Sequence, residues 1–345
     1  MGDAFVTLLL KWFDVHGRDL PWRHTADPYA IWLSEVILQQ TRIAQGTDYW
    51  WRFMRRWPTV ADLASATEDE VLRMWQGLGY YSRARHLHAA ARQIVDMGGF
   101  PTSYADIRRL QGVGDYTAAA IASFAYGQPR AVVDGNVYRV LSRYEGIDTP
   151  INSTSGQRLF AALAQRHMDS MGQEGELCGR YNQAIMDFGA LQCTPKSAPC
   201  LVCPLAEACV ACRTGRVREL PVKLKTTRVK PRFFAYIYIR WNGQVAIRQR
   251  GRGDIWQGLW EPLCEEYPTQ EALEARHGTG RLLRRHVRHV LTHRVIMADF
   301  YLDECTSRPL LPEGYQWIAE ADLGLYALPR LVEMLVEAVE SEGKA

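Results

Sequence analysis

No stretch of this chain is long and apolar enough to cross a bilayer. Its first apolar run, Val6 to Leu10, is too short for a secretory signal. These absences point to an intracellular, cytoplasmic protein, in a compartment where structural disulfides are rare. An excess of one charge is lacking too. Forty-one Lys and Arg stand against 38 Asp and Glu, a formal net charge of +3, so bulk charge alone does not indicate a polyanionic partner. There is no internal repeat and no low-complexity tract, which excludes solenoids and compositionally driven disorder.

What is present is ordinary in bulk and uneven in detail. The 345 residues, 47% hydrophobic, suffice for two or three domains with their own cores. Eleven tryptophans suit core anchors and base stacking alike. Positive charge clusters at Arg52, Arg55 and Arg56, and again at Arg83, Arg85, His86 and His88. It is densest between Arg213 and Arg232, where eight Lys or Arg face one acid, Glu219. Such patches suit a phosphate backbone, and equally a solvated face or linker.

Helical spacing runs over Pro28–Thr41, Asp69–Trp75, Ser82–Met97, Tyr116–Tyr126, Val137–Tyr144, Gly156–His167 and Arg180–Leu191. With no strand signal among them, residues 1–212 read as an all-α unit of about ten helices. Residues 213–232 read as a basic linker containing Pro221 and Pro231. The pattern then changes. Phe233–Arg240 and Gln244–Gln249 flank the hairpin signal Asn242-Gly243, with further strands expected at Arg288–His293 and Ile296–Leu302. Helices are expected at Glu271–Gly278 and Leu328–Ser341. Residues 233–345 thus form a separate α+β domain.

Cys193, Cys200, Cys203 and Cys209 follow C-x6-C-x2-C-x5-C. Four thiols in one short loop of a reduced protein imply a metal centre, a [4Fe–4S] cluster in the first instance. Zinc is the alternative, since Cys200/Cys203 and Cys209/Cys212 form two C-x2-C pairs. Only five residues separate those pairs, fewer than zinc ribbons use. Cys212 is then a spare thiol. Cys178, Cys264 and Cys305 read as small buried hydrophobes.

Two glycines mark the turn Leu110-Gln111-Gly112-Val113-Gly114 before an alanine-rich helix. Such a turn can be a plain helix connection, or its amides can hold one DNA phosphate. Twenty residues on, Val132-Val133-Asp134-Gly135-Asn136-Val137 places Asp134 where a helix opens. Asp134 is a good N-cap, and a capped carboxylate stays ionised and can face a developing cation. Glu35, in Leu33-Ser34-Glu35-Val36-Ile37-Leu38-Gln39-Gln40-Thr41, shares a helical stripe with Ile31 and Leu38. Burial would raise its pKa and suit it to general-acid work. A buried Glu paired with an Arg is the other reading.

In this order, LSEVILQQT, GLGYYSRAR, LQGVGDYTAAAI, VVDGNV and the four-cysteine loop resemble the MutY family of adenine DNA glycosylases. The resemblance spans nearly the whole chain and loosens after about residue 230. It implies a helix-hairpin-helix glycosylase core, a six-helix domain plus an iron–sulfur domain. Such a core would release adenine mispaired with 8-oxoguanine or guanine, guarding against G:C to T:A transversions. Glu35 would protonate adenine at N7 and Asp134 would stabilise the sugar oxocarbenium ion. Tyr116 and Asn136 would line that site, and Trp22, Arg23 and Gln183 would surround the extruded base. Gln40 and Tyr80 would enter the duplex. Thr41, Leu78, Gly112, Val113, Gly114 and Thr117 would contact DNA. The expected partner is double-stranded DNA carrying the mispair, bound by a monomer, with other repair proteins as possible partners.

The C-terminal region, with Trp256-Gln257-Gly258-Leu259-Trp260-Glu261-Pro262, resembles the Nudix-like domain that ends MutY proteins. The glutamate-rich metal helix of a Nudix hydrolase is missing, so the resemblance implies a lesion reader. Leu291-Thr292-His293, after His289, matches the Phe-Ser-His loop that reads 8-oxoguanine in the family, with Leu replacing the aromatic ring. Thr292 and His293 are the recognition candidates. The endonuclease III branch is the nearest rival. Its Schiff-base lysine falls at Tyr116, and a phenol forms no Schiff base, so a monofunctional enzyme is expected.

Overall fold

Alanine at three consecutive core positions, Ala118 to Ala120, lets helices crowd together. In the helix Asp115–Tyr126, Thr117 to Ser123 are all buried, and the helices Pro28–Ile37 and Gly175–Asp187 pack against it. The computed structural model describes residues 3–172, 175–224 and 229–342. It resolves two units, Met1–Ser65 with Ala89–Lys225, and Ala66–His88 with Thr226–Ala345.

The first unit is helical throughout its described residues. Two of its longer helices escape the sequence reading. In Ala4–His16 the buried residues are Phe5, Val6, Leu9 and Trp12. In Ile43–Arg56 they are Gly46, Trp50 and Phe53. Both sets recur every three or four residues, but polar neighbours hide the stripe. Other bounds differ as well. The helix expected over Pro28–Thr41 ends at Ile37, and Gln40 then turns the chain with a left-handed φ of 61°. Arg180–Leu191 divides into Gly175–Asp187 and the wide turn Phe188–Gln192.

The expected linker is no free tether over its described part in this unit. Leu220 is buried, Ile151 donates to the Val222 carbonyl, and Asn152 pairs with both backbone groups of Leu224. Residues 225–228 of that segment lie outside the described residues.

The second unit is built on a seven-stranded sheet: β1 (Lys230–Trp241), β2 (Gln244–Gln249), β3 (Trp260–Glu261), β4 (Leu263–Tyr267), β5 (Arg281–Val290), β6 (Arg294–Glu304) and β7 (Tyr315–Ala319). The order is β3-β2-β1-β6-β5, with β4 also paired to β1 and β7 to β2. Among the described strands only β1 and β6 pair in parallel. Asn242 and Gly243 both take positive φ, 48° and 70°, the primed turn their sequence demands.

One face of β1 puts Phe234, Tyr236 and Tyr238 in a core with Leu331, Leu335 and Val339 of the helix Arg330–Glu342. The other places Ala235, Ile237 and Ile239 with Leu273. Both faces are covered, so β1 reads as a continuous apolar run rather than alternating. The strand expected at Arg288–His293 is displaced. β5 ends at Val290, and Leu291–His293 is the turn into β6. The expected helix Glu271–Gly278 is shorter, Gln270–Glu274. β3, β4 and β7 are too short or too polar to be seen in the sequence.

Candidate active site

A cavity of about 530 Å³ opens in the helical unit, lined among others by Trp22, Arg23, Glu35, Gln40, Asp134 and Gln183. That volume is typical of small-molecule sites, roughly 300–1,000 Å³. Tyr116, Asn136 and Thr41 also line it, so the structure gathers the residues expected for chemistry and for the base.

Glu35 enters from the buried face of Pro28–Ile37, a helix capped by Asp27, whose carboxylate accepts from Tyr29 N. Its side chain is 8% exposed. Burial pushes its pKa up to about 7, and the Asp134 charge adds to this, while Tyr116 and Arg23 pull it down. The Tyr116 phenol lies between this carboxyl and the Met186 sulfur at 3.2 Å. It has one proton to donate, and a carboxylate is the stronger acceptor.

Asp134 caps Gly135–Glu145. Its Oδ1 accepts from Asn136 N at 2.9 Å and Val137 N at 2.8 Å, and its Oδ2 from Asn136 Nδ2 at 2.8 Å. Burial raises its pKa, and these three donors oppose that rise. All three favour the charged form. One cavity therefore holds a carboxyl poised to carry a proton near neutrality and a carboxylate held by N–H groups.

Several residues that fix this arrangement went unread in the sequence. Asp187, fully buried, accepts two 2.9 Å hydrogen bonds from Arg23 and others from Arg18. Burial raises its pKa, but those guanidinium bonds outweigh it and hold the carboxyl below its ordinary value. Arg23 is thereby fixed at the cavity. Asn182, also fully buried, accepts from Val132 N and donates to Ser123 and Arg130, bracing the strand-like lead into Asp134. Trp22 packs edge-on against Trp50. Their signal, a polar residue inside a helical stripe, is shared with many surface positions.

The helix that Asp134 caps also reaches the cysteine loop. Arg139 donates to Asn136 Oδ1 at 2.8 Å, to the Gly189 carbonyl at 2.6 Å and to the Cys193 carbonyl at 2.7 Å. One turn later Arg143 donates to Cys193 Sγ at 3.4 Å and to the carbonyls of Thr194, Pro195 and Leu220. Gly189 must lack a side chain, because a Cβ there would lie 2.6 Å from that of Asn136.

The thiols of Cys193, Cys200, Cys203, Cys209 and Cys212 line one apolar cavity. Among the described residues no three His, Cys, Asp or Glu converge closely enough for a single metal ion. Thiols spread around a hollow suit the corners of a polynuclear cluster better than a zinc tetrahedron. Burial, with the neighbouring thiols, pushes Cys203 up to about 11. A cationic centre would relieve that cost, so these residues fit a cluster.

The hairpin turn takes its expected form. Gly112 has φ 73°, and Gly114 caps Asp115–Tyr126 with no side chain to accept its amides. Gln93 Oε1 accepts from Gln111 N, and Arg108 from the preceding turn bonds the Val113 carbonyl. Three expected DNA contacts need correction. Thr117 is 2% exposed and its hydroxyl accepts from Gln39. Leu78 is 8% exposed and Val113 4%. None of these side chains is at the surface.

In the second unit, Tyr80 is exposed with a left-handed φ of 48°. Its hydroxyl lies 2.9 Å from Thr292 Oγ1. The two share a pocket with Trp256, His289, Leu291 and His293. Trp256 also has a positive φ, 58°, rare for so bulky a residue, and its ring tilts against His289 at 5.7 Å. Burial lowers the His289 pKa. Thr292 and His293 are both exposed at the β5–β6 turn. Trp256 and His289 were not foreseen in this pocket.

Comparison with known proteins gives two family matches: HhH-GPD superfamily base excision DNA repair protein over residues 33–163, and NUDIX domain over residues 235–338. The helical core is therefore of the helix-hairpin-helix class, followed by a Nudix-like domain. Adenine DNA glycosylase of Homo sapiens is 45% identical over 219 residues, 60% of this chain and 39% of that protein. The mouse protein is similar at 44%. The chain thus spans less than half the length of these two relatives. Adenine DNA glycosylase of Buchnera aphidicola subsp. Schizaphis graminum is 32% identical over 260 residues, 74% of each chain. Among solved structures, a thermostable thymine-DNA glycosylase aligns with TM-score 0.56 and 30% identity, covering 61% of this chain and 95% of that one. An endonuclease III–DNA complex aligns with TM-score 0.51 and 20% identity, covering 61% of this chain and 94% of that one, a likeness of fold.

Proposed function

Since this chain belongs to the adenine DNA glycosylase family, we propose that it hydrolyses the N-glycosidic bond of adenine in duplex DNA, opposite 8-oxoguanine or guanine. The observation that supports this most directly is the pair of carboxyls in one cavity, Glu35 pushed up to about 7 and Asp134 bonded by three N–H donors.

In this reading an extruded adenine occupies the cavity beside Trp22, Arg23 and Gln183, its unstacking cost being least at a mispair. Glu35 transfers its proton to N7. The C1′–N9 electron pair leaves with the base, and the sugar cation forms against Asp134. Water adds to C1′, and its surplus proton restores Glu35. Tyr116 and Asn136 orient the two carboxyls. None of the described residues lining the cavity is a lysine, which favours water over an amine and leaves an intact strand with an abasic site.

Recognition of the opposite base is assigned to the pocket of Tyr80, Thr292 and His293, whose two hydroxyls can meet a purine edge. A [4Fe–4S] cluster held by Cys193, Cys200, Cys203 and Cys209 would supply a redox-capable iron centre that ties down the loop Arg143 embraces. The test is adenine release from duplexes carrying adenine opposite 8-oxoguanine, guanine or thymine, read with and without hot alkali. Release from the two mispairs, with breaks only after alkali, supports the proposal. Breaks without alkali that borohydride traps as a covalent adduct would overturn the monofunctional reading.

A further inference from the structure

The four cysteines that the cluster needs have a fifth in their midst. Cys200 and Cys203 flank the single turn Cys200–Val202, and Cys209 and Cys212 flank the turn that includes Val210–Arg213. Residues three apart across a turn share a face, so both pairs point their thiols into the same cavity, with Cys193 at its side. The place of Cys212 is specific: it lines the same cavity as Cys200 and Cys209, and its thiol acts electrostatically on both of theirs. Cys178, by contrast, is buried in the helical core and is not among the residues that line this cavity.

We propose that Cys200 and Cys212 are interchangeable ligands to one iron of the cluster, so that this corner survives loss of either thiol. The inference rests on the cluster reading above. The exchange is redox-neutral. The iron–sulfur bond to one cysteine breaks and its thiolate takes up a proton, while the other thiol loses a proton to water and forms the new bond. Such a reserve ligand would protect the corner when one of the two thiols is oxidised or alkylated.

The test uses the full chain purified anaerobically as wild type, C200A, C212A, C203A and C200A/C212A, since alanine cannot ligate as serine can. Iron per chain and absorbance near 400 nm (roughly, for thiolate-bound iron) are read for each. Peptide mapping after iodoacetamide then asks which thiols are shielded. C200A and C212A should each keep the wild-type iron content, while C203A and the double variant lose most of it. Cys212 should be alkylated in wild type and shielded in C200A. A C200A protein as iron-poor as C203A, or a Cys212 alkylated equally in C200A and wild type, would overturn the exchange. Zinc without iron in the wild-type protein would instead overturn the cluster reading itself.

Discussion

The cavity of Glu35 and Asp134 and the pocket of Tyr80 and Thr292 are built on opposite principles. In the first, every polar group is held by a named partner: Arg23 by Asp187 and the Asp134 segment by Asn182, both far along the chain, and Asn136 by Arg139 one turn on. All these groups sit on helices or helix caps. In the second, the polar groups stand on turns, Tyr80 and Thr292 are exposed, and a single hydroxyl–hydroxyl contact joins them. Groups that move protons need fixed geometry and a dry environment. Groups that recognise a base opposite need reach, and turns supply it.

That contrast ranks the effects of substitution. The largest is expected from Glu35→Gln, which keeps the shape and removes the proton. Adenine release should fall by about 10²–10⁴-fold, as for loss of a general acid, while duplex binding persists. Near wild-type release would place the acid elsewhere. The same variant reports on burial. Because the folded-state pKa is raised, Glu35 favours the fold below its unfolded value and opposes it as pH rises through about 7. Chemical denaturation should show Glu35→Gln more stable than wild type at pH 9, by on the order of 3 kcal/mol, and the gain should vanish by pH 4. A gain independent of pH would contradict this.

Next comes Asp187→Asn. It leaves Arg23 and Arg18 without a counter-charge and should cost about 3 kcal/mol or more in denaturant titration, whereas exposed ion pairs such as Arg109–Asp106 should cost less than about 1 kcal/mol. Equal losses would erase the distinction between fixed and exposed regions. Gly189→Ala forces Asn136 aside. Overpacking of this kind costs about 1–3 kcal/mol, and turnover should fall more than duplex binding. If both fall equally, Gly189 acts on the fold and not on the site.

The smallest effect belongs to the second pocket. Thr292→Val keeps the shape and removes one hydroxyl, worth about 1 kcal/mol. The preference for 8-oxoguanine over guanine opposite adenine should fall several-fold, with release from the guanine pair unchanged. An equal loss on both substrates would assign Thr292 to general DNA binding.

How much of this could be read from sequence follows the same divide. Glu35, Asp134, the hairpin glycines and the cysteine loop carry their meaning locally: a carboxylate on an apolar stripe, an N-cap, a forced φ, a spacing. The helix Ala4–His16 had such a stripe too, but spread thinly enough to pass for a short run. Asp187, Asn182 and Arg139 were illegible because each acts through a partner that the fold brings near, 164 positions away for Asp187 and Arg23. Thr117, Leu78 and Val113 were misplaced at the surface because position in or next to a motif does not tell which way a side chain points. The Leu291–His293 turn was read as strand because its β-branched neighbours continue the pattern on both sides.

The central claim is that Glu35 holds its proton near neutrality and gives it to the base. The most direct measurement is the single-turnover rate of adenine release across pH 5 to 9, with substrate and enzyme held saturating. Protonated Glu35 is the active form, so the rate should be level at low pH and fall about tenfold per unit above an apparent pKa near 7. A rate that stays constant to pH 9, or rises through that range, would contradict the account.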